Sequence, residues 1–347
     1  MKIAFTICSN NYLPHARVLR NSLIEKNPEY KFYYILVDTL ADSLDYKTDL
    51  VDDVIPVEQI QIPNFDELIK KYNIIELNTS VKASAFKYLL DKNPSTQKIL
   101  YFDPDIAILD SLHILENELD VSEIIITPHI LTPLSINEAR PNENDFLNYG
   151  IYNLGFIGLK NTTQITNKFL LWWEERLLKM CYINENEGLF VDQLWINLVP
   201  VFFKGVKILE HPGMNMAPWN LHERMIKKNE NKYIINLKYD LVFYHFSSFK
   251  FERLPQLFTN YDRNNNYMKD EVVVKLYEWY AAKLAEIDHK KYSSINCAFM
   301  KVGNENERSS LSDTTPIEKV TPLLKLFKYI MPPIFVLLYN KIKLKSF

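Results

Sequence analysis

Two aspartates one residue apart, Asp103 and Asp105, close the apolar run Ile99-Leu100-Tyr101-Phe102 and are followed by a second, Ile106-Ala107-Ile108-Leu109. Carboxylates so spaced at a strand end suit a hard divalent cation, which takes carboxylate oxygens and keeps positions open for phosphate oxygens. The competing reading is a plain surface turn, because Asp-Pro is a common turn pair. Two carboxylates do not complete an octahedral site, so a third ligand is expected. His245 ends the apolar run Leu241-Val242-Phe243-Tyr244 and is the candidate. An imidazole in the set suits Mn²⁺ better than Mg²⁺; otherwise it is a hydrogen-bonded histidine at a core edge.

Other polar residues stand where chemistry could use them. Lys82 lies in the first turn of a helix expected over Ser80–Leu90, and an ammonium at a helix N-terminus is an anion site unless the lysine is merely solvated. Asn153 and Gly155 interrupt the apolar strand Tyr152–Phe156; a strand glycine marks either close approach by a ligand or backbone, or a bulge. Asp192 and Gln193 fall within Phe190–Trp195, where buried polar groups need partners that sugar hydroxyls could supply, or where local capping would serve. In the loop Pro212–Asn220, Asn215 could bond to hydroxyls or phosphate, and Trp219 could stack on a sugar face or pack in the core. His211 and His222 belong to the same region, and the other histidines look incidental.

The elements that must position these groups alternate early in the chain. Strands are expected at Lys2–Cys8, Phe32–Val37, Asp53–Val57 and Ile99–Phe102, with helices at Pro14–Glu25, Asn64–Lys71 and Ser80–Leu90. This predicts an α/β fold with a mostly parallel sheet between helices. Further strands are expected at Glu123–Pro128, Tyr152–Leu159 and Leu241–Phe246. Helices are expected at Thr166–Lys179, partly over Leu189–Phe203, and at Met268–Ala285; Ser135–Asn148 reads as a mobile loop.

With 347 residues and a net charge of −3, the chain can bury a full core, and nucleic acid is not an expected partner. Three scattered cysteines fit a reducing compartment and match no zinc spacing. The opening Met1–Cys8 reads as a strand rather than a leader segment. Only seven glycines occur and the first is Gly150, so a dinucleotide fingerprint or P-loop cannot exist before it. A nucleotide bound there must be held by side chains and a metal.

Taken in order, these residues resemble the GT-A-fold glycosyltransferases of the glycogenin-like family 8, over roughly Lys2 to Lys250. The elements are Asn10-Asn11-Tyr12 after the first strand, Lys82 ahead of the Asp-x-Asp strand, Asn153-x-Gly155, Asp192-Gln193 with Asn197, Asn215 and His245. The resemblance implies a Rossmann-like mixed sheet between helices, with Asp103, Asp105 and His245 holding Mn²⁺ (or Mg²⁺) on the diphosphate of a nucleotide sugar. It implies a donor pocket lined by Thr6, Asn10 and Tyr12, and a donor sugar near Asn153, Gly155, Asp192 and Gln193. It also implies retention at the anomeric carbon, with Asp192 or Gln193 beside that carbon. The family's ending His-x-x-Gly-x-x-Lys-Pro-Trp appears here as His245-Phe246-Ser247-Ser248-Phe249-Lys250, with no glycine and with the lysine one residue early.

The expected organisation is a catalytic domain over 1–260, a C-terminal helical segment over 261–292, a linker over 293–318 and a basic amphipathic tail over 319–347. After Glu318 no acid remains, and Lys319, Lys325, Lys328, Lys341, Lys343 and Lys345 alternate with apolar residues around Pro332-Pro333. Such a tail suits an anionic membrane surface. The expected protein is a cytoplasmic hexosyltransferase, peripheral on the inner face of the cell membrane, using a UDP-hexose and a polysaccharide or lipid-linked acceptor. The rivals are a sugar-1-phosphate nucleotidyltransferase, which normally carries an early glycine-rich loop, and a silent nucleotide-sugar-binding scaffold.

Overall fold

The computed structural model describes residues 1–46, 53–136, 140–161, 164–230, 232–250 and 269–300. The first half runs β1 (Lys2–Cys8), α1 (Leu13–Lys26), β2 (Tyr30–Leu36), β3 (Asp53–Pro56), α2 (Phe65–Lys71), α3 (Ile74–Ser80), α4 (Lys82–Lys92), β4 (Lys98–Phe102), β5 (Ile106–Ile108), α5 (His113–Val121) and β6 (Ile124–Pro128). The second half adds α6 (Glu143–Tyr149), β7 (Tyr152–Lys160), α7 (Gln164–Met180), β8 (Ile183–Asn184), β9 (Leu189–Phe190), α8 (Val199–Phe202) and β10 (Val206–Ile208). It continues with β11 (Ile226–Asn229), β12 (Lys232–Ile235), β13 (Tyr239–Asp240), β14 (Phe243–His245), α9 (Glu271–Glu286) and α10 (His289–Ser293).

Seven strands form one mixed sheet in the order β10-β6-β7-β4-β1-β2-β3. The β1, β2, β3 and β4 pairings are parallel, as is β6 with β10, while β7 runs antiparallel to both β4 and β6. The central strands are mostly apolar, as suits a sheet covered on both faces, with charged residues chiefly at their ends. On β1, Ile3, Phe5 and Ile7 join a core with Phe86, Leu89 and Trp173, whereas Ala4 and Cys8 point into a second core with Leu19, Leu23 and Leu115. From β1 the chain builds outward through β2 and β3, then crosses back to β4 on the other side of β1. That reversal opens a crevice at the carboxyl ends of β1 and β4, the place where open α/β sheets bind ligands.

The helix and strand expectations of the first third hold, with additions. A short strand, β5, follows the Asp pair and pairs antiparallel with β14, setting His245 opposite Ile106. Helix α5 and strands β10 to β13 were not anticipated. Of the expected strand Leu241–Phe246, only Phe243–His245 pairs as β14, because Val242 donates to Gly213 O and accepts from Leu109 N instead. The expected loop Ser135–Asn148 is corrected in part: α6 begins within it. Asn142 accepts from the amides of Asn144 and Asp145, and Asp145 accepts from the Asn142 amide, a capping box that nucleates the helix. Leu189–Phe203 resolves into β9, a 3₁₀ turn over Leu194–Leu198 and the single turn α8.

Helix α9 packs on α1, where the Tyr280 hydroxyl meets His15 Nδ1 at 2.8 Å. Just beyond α10, Cys297 Sγ donates to Val37 O and the Ala298 amide to Asp38 Oδ1, which seats residues 294–300 against the end of β2. No described helix is long and apolar enough to cross a membrane. The expected tail over 319–347, and the linker beyond Met300, lie outside the described residues.

Candidate functional site

Asp103, Asp105 and His245 come together at the crevice, each offering one ligand atom within 4.8 Å of the others. Strand β4 ends at Phe102, and the Asp103 amide donates to Gly155 O on β7, which fixes the turn against the neighbouring strand. The chain then reverses through Pro104, and Asp105 O accepts from the Phe246 amide. His245 Nε2 lies 3.1 Å from Asp105 Oδ1 and 3.8 Å from Asp103 Oδ2. Burial alone would push the Asp105 carboxyl up, but the His245 ring outweighs it and holds the group below its usual range. Burial likewise pulls the His245 imidazole down, and Asp105 reverses this so that its pKa is raised.

The ring of His245 is seated by the absence of a side chain. A Cβ on Gly155 would stand 2.5 Å from His245 Cε1 and 2.7 Å from Nδ1. The strand glycine thus accommodates the close approach of an imidazole rather than of a second backbone. The bulge lies on this same strand: one step on β6, from Ile126 to Thr127, spans Ile157 to Asn153 on β7, so Gly155 falls within the irregular stretch and both readings of the glycine meet here.

Two hard carboxylate oxygens and one imidazole nitrogen form a donor set that fits Mn²⁺ or Mg²⁺ and leaves other octahedral positions for a ligand. His245 Nδ1 is buried without a hydrogen-bond partner among the described residues, and Nε2 faces the carboxylates. The residues present therefore fit a divalent cation.

Lys82 is 1 % exposed, so it is no surface lysine. Its ammonium pairs with Asp192 Oδ2 at 2.5 Å, donates to Leu154 O at 3.1 Å and lies 4.1 Å from the Tyr101 ring centroid. Asp103 Oδ1 is 3.9 Å away. Burial raises the Asp192 carboxyl, with Lys82 opposing that effect. Lys82 thus joins the Asp103 carboxylate to the segment carrying Asp192 and Gln193.

Beside this pair is a buried amide network. Gln193 Oε1 accepts from the Leu154 amide at 2.9 Å and from Asn153 Nδ2 at 3.3 Å, while its Nε2 donates to Tyr149 O. Asn153 Oδ1 accepts from Asn215 Nδ2 and from the Gly155 amide. Asn215 also donates to Thr127 Oγ1 and holds a left-handed backbone with φ of 51°. Asn215 Oδ1 is buried and has no hydrogen-bond partner among the described residues. Trp219 is 5 % exposed and meets His129 and His245 edge-on.

Around the end of β1, Thr6 is fully buried with an unpartnered hydroxyl. The Asn10 side chain is occupied by Thr39 O and the Tyr46 hydroxyl, and its amide by Asp38. Tyr12 is 45 % exposed and stacks on His15. Burial raises the Tyr12 phenol, and the Asp105 and Asp103 charges add to that rise. Lys250 is exposed.

Sequence reasoning missed Tyr101 and His129. The Tyr101 hydroxyl donates to Asp103 Oδ1 at 2.5 Å. The strand period of two was the available signal, since residues i and i+2 share a face. His129 Nε2 contacts Asn153 Nδ2 at 3.2 Å across the β6–β7 pairing, a long-range contact with no local signal. His211 contacts Gly213 and Tyr239, and His222 lies beside Glu223, so both serve the loop rather than the carboxylates.

The described residues thus make a mixed α/β protein with a candidate Asp-Asp-His metal group at the carboxyl edge of its sheet. No family model matches the chain. It is 25 % identical over 254 residues to the uncharacterized protein YfnF of Bacillus subtilis, covering 73 % of this chain and 83 % of that one. It is 21 % identical over 257 residues to the uncharacterized protein YfnD of the same organism, covering 70 % and 76 %. Among solved structures it is similar to the galactosyltransferase LgtC in complex with donor and acceptor sugar analogs, with 16 % identity, 85 % of this chain and 98 % of that chain covered, and a TM-score of 0.46. It is also similar to the glycosyltransferase GlyE of Streptococcus pneumoniae, with 15 % identity, coverage of 84 % and 65 %, and a TM-score of 0.46.

Proposed function

We propose that this protein is a metal-dependent glycosyltransferase that moves a hexose from a UDP-linked donor to a glycan or lipid-linked acceptor at the cell surface, with retention of anomeric configuration. The observation that carries this reading is the convergence of Asp103, Asp105 and His245 at the switch-point crevice, beside the buried Lys82–Asp192 pair. Asp103, Asp105 and His245 would hold Mn²⁺ (or Mg²⁺), which when bound offsets the charge that builds on a departing diphosphate.

The chain's own groups then divide the remaining work. Thr6, Asn10 and Tyr12 line the donor pocket, with the Thr6 hydroxyl buried and unpartnered among the described residues and the half-exposed Tyr12 offering its phenol. Lys82 is committed to Asp192 and Leu154 O, so its charge supports the phosphate site from beneath rather than by an exposed contact. Asn153, Asn215 and Gln193 hold one another and present Asn215 Oδ1 toward the donor sugar. Asp192 is paired with Lys82 and thereby unsuited to act as a free nucleophile, which favours a front-face transfer with Gln193 near the reacting carbon. Trp219, packed on His129 and His245, shapes the sugar side of the crevice. The basic tail over 319–347 is assigned to the inner membrane face, where a lipid-linked acceptor would lie.

A screen of nucleotide sugars for Mn²⁺-dependent hydrolysis or transfer tests the reading. Wild type should turn over a UDP-hexose, and Asp105→Ala should lose on the order of 100-fold or more, because a metal-held charge supplies several kcal/mol. UDP binding without any turnover would favour a silent binding protein, and Asp105→Ala activity equal to wild type would remove the metal role.

A further inference from the structure

Asp103 uses its two carboxylate oxygens differently. Oδ1 accepts the Tyr101 hydroxyl at 2.5 Å and lies 3.9 Å from Lys82 Nζ, whereas Oδ2 is turned toward His245 Nε2 at 3.8 Å. Tyr101 and Asp103 are two residues apart where β4 ends, so their side chains leave the sheet on the same side. The Tyr101 ring cannot swing away. It is 3 % exposed, edge-on to Phe5 at 5.2 Å between centroids, and covered by the Lys82 ammonium at 4.1 Å. A phenol has one proton to donate, and here it is spent on Oδ1.

We infer that Tyr101 is a positioning residue that ties back Oδ1 of Asp103, so that Oδ2 alone is offered to the divalent cation. This rests on the metal-dependent reading of the same site. A carboxylate released from the phenol could rotate to chelate through both oxygens or close directly on Lys82. Either outcome would change the number of cation positions left for diphosphate oxygens. Hydrogen-bond partners of metal-ligating carboxylates typically change metal affinity by about 10- to 100-fold.

The test is titration of the full-length protein with Mn²⁺ alone, with free and bound ion read by electron paramagnetic resonance. Tyr101→Phe keeps the ring, with its Phe5 and Lys82 contacts, and deletes only the oxygen. Its Mn²⁺ affinity should fall by about 10- to 100-fold, with an altered line shape for the bound ion. Tyr33→Phe is the control: it removes a phenol from a ring as deeply buried on β2 of the same sheet, where the hydroxyl donates to Asn93 at the end of α4 at 2.9 Å, and should leave Mn²⁺ affinity unchanged. Wild-type affinity in Tyr101→Phe, alongside loss of binding in Asp103→Asn, would overturn the inference while leaving the metal site standing. An equal loss in Tyr33→Phe would overturn it as well, by tracing the effect to stability. Wild-type affinity in Asp103→Asn would instead bring down the metal reading, and the inference with it.

Discussion

At the scale of single residues, the site depends on where atoms are missing as much as on where they are present. Gly155→Ala should place a methyl 2.5 Å from His245 Cε1, so the imidazole or β7 must shift. Overpacking of this kind costs about 1–3 kcal/mol, and the shifted Nε2 should also weaken Mn²⁺ binding. A melting curve and a Mn²⁺ titration on the variant check both effects; unchanged Mn²⁺ affinity would mean that the ring seat is not needed. The grouping of Asp103, Asp105 and His245 was legible because Asp103 and Asp105 close an apolar strand and His245 closes another, and strand ends gather at one edge of a sheet. The seat for the ring was less so. Gly155 was recognisable as an approach point, yet what approaches it comes from a strand nearly a hundred residues later. His129 was illegible for the same reason, since its place beside Asn153 is set by the β6–β7 pairing.

At the scale of elements, the start of α4 is tied to the Asp192 segment by an ion pair that water does not reach. Lys82→Met leaves the Asp192 carboxylate buried without its partner and should destabilise by about 3–5 kcal/mol in urea unfolding. Combining it with Asp192→Asn should recover part of that loss, and strict additivity in the cycle would argue against direct coupling. Helix α9 depends on Asp270, whose carboxylate accepts from the amides of Val272 and Val273. Asp270→Ala should cost about 1 kcal/mol by the same measurement. Elements with strong apolar periods, such as α4, α7 and α9, could be read from sequence. Helix α6 could not, because polar residues dominate Asn142–Asn148 and its start depends on the reciprocal Asn142 and Asp145 bonds. The short strands β5 and β14 exist chiefly as each other's partners, and three residues carry little period of their own.

At the scale of the molecule, burial of titratable groups sets a pH response. His15 is pulled down to about 4 and His129 to about 3, in both cases chiefly by burial, so the folded chain keeps both rings neutral. The unfolded chain takes up protons near pH 6.5 and the folded chain does not. Stability should therefore fall as pH drops below about 6.5, by roughly 1.4 kcal/mol per pH unit for each histidine, and level off once the folded rings protonate. Urea midpoints between pH 7 and 5 measure this, and His15→Gln should give a shallower slope than wild type. The crossing from β3 back to β4 gives the described sheet a switch point, and buried cores on its two faces flank that crevice. With no glycine before Gly150, the proposed diphosphate site relies on side chains and an ion rather than on a glycine-rich loop.

That claim is tested most directly by anomalous diffraction at the manganese edge from crystals grown with Mn²⁺ and UDP. The account predicts one strong peak bounded by Asp103 Oδ2, an Asp105 oxygen and His245 Nε2, with the UDP diphosphate on its open side. A peak elsewhere, or UDP bound in the crevice with no ion between those three side chains, would contradict it.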